Sequence, residues 1–123
     1  MLITIPDQLK IFTVSKAQLD AGNTNMYSVG FRNLIENHLP QIRTYPNTKV
    51  LSLDPKKEQI FTGNFYGLLY NIDFVQQDMF WITMRTNGLL SPLDYSGNLN
   101  YVLIPSRGDI ELLLQRYKNA TTM

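Results

Sequence analysis

The side chains able to do chemistry are few and scattered. His38 is the only histidine, and it stands beside Leu39 in a stretch with helical spacing, where a lone imidazole has no evident partner for proton transfer. Asp73 and Asp78 lie five positions apart, which does not put two carboxylates on one helical face. Ser91 and Ser96 would each need a base, and a single histidine cannot serve both. "GNFYG" (63–67) has neither the lysine of a phosphate loop nor the spacing of a dinucleotide fold. There is no cysteine, which excludes thiolate catalysis, disulfides and zinc–thiolate sites. The expectation is a chain with no catalytic residue, no metal site and no cofactor, hence not an enzyme.

"SRGDI" (106–110) contains an Arg-Gly-Asp tripeptide, which adhesion proteins can present on loops. Each residue also has a local use. Ser106 with Asp109 three positions on is a helix-start pattern, and a carboxylate there meets the positive end of the helix dipole. The capping reading is the simpler one. The tyrosines and phenylalanines offer faces for bases or sugars, but most fall at core-facing helical positions.

These residues belong to a chain of 123 amino acids, a length that fits one domain. Its apolar fraction of 44% is ordinary for a folded chain. Eleven basic residues nearly balance ten acidic ones. The only adjacent basic pair, Lys56-Lys57, is flanked by Asp54 and Glu58. No basic stripe is present, so nucleic acid is not an expected partner. No apolar run approaches the roughly 18 residues of a membrane span, and "MLITIPDQLK" lacks the layout of a signal peptide. No membrane association is expected.

Residues 1–26 read as an extended arm in which "LITI" and "IFTV" are short β-branched runs; a strand of the main sheet is the alternative. Residues 27–123 read as a single α+β domain. Phe31, Leu34, Ile35, Leu39 and Ile42 follow the i, i+3, i+4 rule of a helix, which Pro40 is expected to end at or before Leu39. "TKVLSL" (48–53) reads as a strand closed by Asp54-Pro55, and "EQIFTG" (58–63) as a second strand or a loop. Two short helices should follow. The first presents Phe65, Leu68, Leu69 and Ile72, with Asn64 as its cap. Asp73 is read as the cap of the second, in a capping box with Gln76.

That second helix carries Val75, Met79, Phe80, Trp81, Ile82 and Met84, apolar over so much of its circumference that it should be wedged between other elements. Gly88 suits the left-handed residue that ends it. "YVLIP" (101–105) reads as a strand. A terminal helix capped by Ser106 should bury Ile110, Leu113, Leu114 and Tyr117. The expected core anchors are Phe65, Leu68, Leu69, Phe80, Trp81 and Ile82.

The order strand, helix, helix, strand over about residues 48–105 resembles the LysM βααβ module. Asn87, Leu89, Pro92, Gly97 and "LIP" (103–105) look like its closing pattern. A related family is more similar still. Small baseplate wedge subunits of contractile-tailed bacteriophages carry a LysM-like region with an aromatic-Trp pair in the second helix, then Asn and Pro. Phe80-Trp81, Asn87 and Pro92 match that pattern, as do "FRN" (31–33) and "IRTY" (42–45) upstream.

The resemblance implies a LysM-like core at about 48–105 with an added N-terminal helix, an arm and a C-terminal helix. It further implies a structural virion protein of the tail baseplate, made in the host cytoplasm. Its expected partners are other tail or baseplate proteins, with multiple copies in a symmetric assembly. Another phage neck or tail-completion protein is one alternative. A LysM-like glycan-binding module, with Tyr95 as the stacking platform, is the other.

Overall fold

A computed structural model describes residues 2–3, 29–72 and 75–121. Its elements run β1 (Leu2–Ile3), α1 (Val29–Thr44), β2 (Lys49–Leu53), the single turn α2 (Pro55–Glu58), α3 (Phe65–Tyr70), α4 (Phe80–Thr86), β3 (Tyr101–Ile104) and α5 (Arg107–Thr121). Short 3-10 turns at Gln59–Phe61, Gln77–Met79 and Pro92–Asp94 lie between them. The fold is mixed helix and strand, an α+β arrangement. β2 pairs antiparallel with β3, Leu51 opposite Val102 and Lys49 opposite Ile104. β1 adds in parallel on the far side of β2, Leu2 opposite Ser52. The start of the expected arm is therefore a strand of the sheet, while 4–28 lie outside the described residues.

Alternation along the strands gives the sheet one inner face of Leu51, Leu53, Val102 and Ile104. That face packs on Phe61, Phe65, Leu68, Leu69, Ile72, Phe80 and Met84. A second cluster joins the long helices: Phe31, Ile35, Leu39 and Ile42 of α1 against Ile110, Leu113 and Leu114 of α5. Met79 and Ile82 complete it. The short helix α4 lies between the clusters, with Phe80 and Met84 in one and Ile82 in the other. An apolar surface on both sides of a two-turn helix is what such a wedge requires.

Three local expectations are corrected. Pro40 does not end α1, which continues to Thr44. Proline removes one helical hydrogen bond and crowds the carbonyl four residues back, at about 3 kcal/mol. Burial of Ile42, wholly enclosed, and two bonds beyond the proline offset this. Arg43 Nε donates to Thr86 O at 2.8 Å, and Thr48 Oγ1 donates to Ile42 O at 2.7 Å.

"EQIFTG" is not a strand; the loop alternative holds, as a helical end, a 3-10 turn and the turn at Thr62-Gly63. Pro55 takes the first helical position and the Asp54 carboxylate accepts from Lys56 N–H at 3.0 Å, so the chain coils directly after β2. The second short helix starts at Phe80 and not just after Asp73. Gln76 is extended (φ −79°, ψ 149°), which precludes the capping box, and Asp73 itself lies outside the described residues.

Candidate functional site

Helix α4 ends in a complete Schellman turn. Gly88 N–H donates to Arg85 O at 3.0 Å and Leu89 N–H to Met84 O at 3.2 Å. The reversal needs a left-handed residue, which Gly88 supplies at φ +82°. The residue before it, Asn87, reaches across to the sheet. Its Nδ2 donates to Leu103 O at 2.8 Å and to Thr83 O at 2.7 Å, and its Oδ1 accepts Leu103 N–H at 2.8 Å. One side-chain amide thereby satisfies both backbone groups of Leu103 on the edge of β3 that β2 leaves open, as a neighbouring strand would.

Two arginines fix the same turn to α1. Arg43, from α1, donates to the carbonyls of Thr86 (2.8 Å) and Arg85 (3.3 Å), where a cation meets the negative end of α4. Arg85 closes a two-pronged pair on Glu36 at 2.6 and 2.8 Å and donates to Leu89 O at 2.8 Å. The hydrogen bond from Arg85 holds the Glu36 carboxyl below the usual glutamate range, more than burial raises it, and Glu36 in turn raises Arg85.

A second constellation joins the loops after β2 and before β3. Glu58 is wholly buried, yet its carboxylate accepts from Leu99 N–H at 2.6 Å and Asn100 N–H at 3.2 Å. Charge-assisted bonds of this kind are what make burial of a carboxylate tolerable. Gly63 N–H donates to Tyr95 O at 2.7 Å. Gly97, at φ +78°, lies so close that an added Cβ would stand 3.3 Å from Gln59 Cα and against Thr62 Oγ1.

Tyr95, the expected sugar platform, is 1% exposed, with its ring edge-on to Phe65 at 5.2 Å. It has no face to offer a ligand, and the glycan-stacking role is corrected accordingly. Its phenol lies beside Glu58 without a hydrogen bond of normal geometry. Burial first and that carboxylate second push it well above the ordinary tyrosine range.

The remaining sequence candidates are engaged locally. Arg107 forms a two-pronged pair with Asp78 at 2.7 Å, touches Gln76 and bonds Glu111 at 2.9 Å. Its hydrogen bonds to the Asp78 carboxylate are the main cause of its raised basicity. Asp109 accepts from Asn47 Nδ2 at 3.5 Å. The Arg-Gly-Asp tripeptide is therefore a first helical turn whose charged side chains face their own protein. Ser106 directly precedes α5, and its carbonyl accepts Ile110 N–H at 3.2 Å.

His38 Nδ1 is 2.8 Å from Leu34 O, a bond back along its own helix. Ser91 caps the turn at Pro92–Asp94, accepting Leu93 N–H at 3.2 Å while Asp94 accepts Ser91 N–H at 3.1 Å. Among the described residues no group of three or more His, Asp or Glu side chains is placed to hold a metal. No helix there is long and apolar enough to cross a membrane.

Of the expected anchors, Phe65, Leu68, Leu69 and Phe80 are buried in the sheet-side cluster and Ile82 in the helical one. Trp81 differs from expectation. It is only partly buried, packs against both clusters, and has Arg32 Cζ 5.6 Å above its ring. Position 81 falls between the two faces of α4 that the clusters claim, so its ring bridges them at the rim.

What this arrangement can do is hold surfaces in fixed positions. The locked loops turn Ile60, Leu90 and Leu93 outward, the last two more than 70% exposed, and the sheet's outer face shows Val50 and Tyr101. The sequence reading missed Glu58, Arg43 and Arg85, whose partners lie dozens of residues away. The Asn-Gly pair at the end of an apolar helix was the one local signal for the clamp. Comparison with protein-family models, curated proteins and solved structures finds no match to this chain.

Proposed function

We propose that this chain is a structural subunit of a contractile-tailed bacteriophage baseplate, of the wedge type, which joins neighbouring tail proteins without catalysing a reaction. The observation that carries the reading is the Asn87 amide on Leu103. It gives a physical reason for the family-like spacing of an aromatic-Trp pair, an asparagine at the helix end and a Leu-Ile-Pro strand. The pair wedges α4 in place, the asparagine closes the helix onto β3, and Pro105 stops that strand. A LysM-like core would use its strands, two helices and clamp in this way, with α1 and α5 as additions held by arginine pairs. Outward-turned apolar residues on locked loops suit contacts with unlike subunits. Burial of Tyr95 removes the platform on which the glycan-binding alternative was built.

Cross-linking mass spectrometry on purified tails assembled with this chain tests the reading. Lys56, Lys57 and Lys118 should cross-link to unlike baseplate proteins in a repeating stoichiometry. Cross-links confined to neck proteins would move the chain to the neck or tail-completion role. Its absence from purified tails, with no association on co-expression with tail proteins, would overturn an assembly function.

A further inference from the structure

We propose that Asn87-Gly88 is a deamidation site guarded by the fold, and that a chain modified there cannot rebuild the clamp between α4 and β3. Glycine after asparagine leaves the peptide nitrogen unhindered by a Cβ, so attack on the preceding side-chain amide is sterically easiest at such a pair. Gly88 N bonds to Asn87 Cγ, its amide proton passes to solvent base, and Nδ2 takes up a proton and leaves as ammonia. Water then opens the five-membered imide at either carbonyl, giving aspartate or isoaspartate. No oxidation or reduction is involved.

In the folded chain both reacting groups are engaged. The nucleophile, Gly88 N–H, is donated to Arg85 O at 3.0 Å. The leaving amide is held by Thr83 O and Leu103 O at 2.7 and 2.8 Å, with Oδ1 on Leu103 N–H at 2.8 Å. Deamidation must first open the turn and release the amide. Gly88 is otherwise unprotected: it is exposed, and an added Cβ would meet nothing within 4 Å. The guard is thus the hydrogen-bond set and not enclosure.

The product is incompatible with that set. A carboxylate oxygen in place of Nδ2 would face the carbonyl oxygens of Thr83 and Leu103, acceptor against acceptor. Isoaspartate would in addition insert a methylene into the backbone where Gly88 must reverse the chain. Molecules that dwell unfolded or unassembled would acquire a permanent mark that excludes them from the native population.

The test compares the full chain, folded and in urea, in the same mildly alkaline buffer. Peptide mass spectrometry reads the exchange of NH2 for OH at position 87, with isoaspartate resolved by its separate elution. Deamidation should be at least about tenfold slower in the folded chain, because only the opened fraction reacts. After removal of urea, the deamidated molecules should be depleted from the refolded monomer peak. An independently made Asn87→Asp chain should show a lower urea midpoint or fail to refold. Equal rates in the folded and unfolded chains would overturn the guarding role, and a wild-type midpoint in Asn87→Asp would overturn the incompatibility.

Discussion

In the sheet-side region, polar side chains close on backbone groups: Asn87 on Leu103, Glu58 on Leu99 and Asn100, and Asn64 on Gly67 N–H at 3.0 Å. In the region of the two long helices the two-pronged contacts join side chain to side chain, Arg85 on Glu36 and Arg107 on Asp78, and Arg43 on the carbonyls of Thr86 and Arg85 is the exception. The difference follows from the elements. Short helices and a small sheet leave many backbone donors and acceptors without regular partners, and each must be satisfied individually. Long helices satisfy their own backbone and need only be oriented. The first region should therefore be sensitive to loss of single hydrogen-bonding atoms, the second to loss of apolar volume and little else. α4 belongs to both, so the two should unfold together.

The sharpest test of that shared helix is Phe80→Ala. Phe80 is enclosed in the sheet-side cluster and stacks tilted on Tyr66 at 5.7 Å. Its truncation should cost about 3–5 kcal/mol. In urea titrations the midpoint should fall while the far-UV circular dichroism and Trp81 fluorescence transitions stay coincident. Separation of the two transitions would mean that the helical region survives the loss of the sheet-side core. Trp81→Ala comes next, at about 2 kcal/mol, because the ring is only partly buried and loses less than an enclosed tryptophan. A cost nearer that of Phe80→Ala would show that the bridge between clusters outweighs its exposure.

The sequence made legible what is decided locally. β2, β3 and the anchors of α3 follow from spacing, and Asn64 and Gly88 from cap and turn chemistry. What failed depends on distant partners. The proline rule placed the end of α1 at Leu39, but Ile42 and Arg43 hold the next turn through α5 and α4. Asp54-Pro55 does close β2 at Leu53, but the same two residues are also a cap and a first helical position, which the strand reading of the segment after them missed. Glu58 sits in a polar-looking stretch and Tyr95 among turn residues, so no local pattern marks either as core. Their burial comes from one another's loops, 41 positions apart in the Glu58–Leu99 bond. Within the clamp, Asn87 was legible as a family-like residue, but its partner 16 positions on was not.

Glu58→Gln probes the sheet-side rule at a single atom. The amide retains one oxygen for Leu99 N–H but turns an NH2 toward Asn100 N–H, leaving a buried donor facing a donor. A loss of about 1–3 kcal/mol is expected with no change in packed volume. Hydrogen exchange should localise it to the amides of Leu99 and Asn100. An unchanged midpoint and unchanged protection there would mean that water or neighbouring groups take over the carboxylate's task, and that the contrast between regions is weaker than drawn.

The smallest effect belongs to the ion pair between α1 and α4. The Glu36 side chain is 37% exposed, so solvent screens its pairing with Arg85. Glu36→Gln should cost only about 0.2–1 kcal/mol near neutral pH. The pH dependence identifies it better than the magnitude. Arg85 lowers the folded-state pKa of Glu36 below the ordinary value of 4.5, so the unfolded chain takes up the proton first as pH falls. The contribution is complete above that ordinary value and is lost as pH drops through the lower folded value. The stability curves of wild type and Glu36→Gln should thus run apart at neutral pH and converge in acid. Parallel curves across that window would mean that the pair orients α1 without stabilising it through charge.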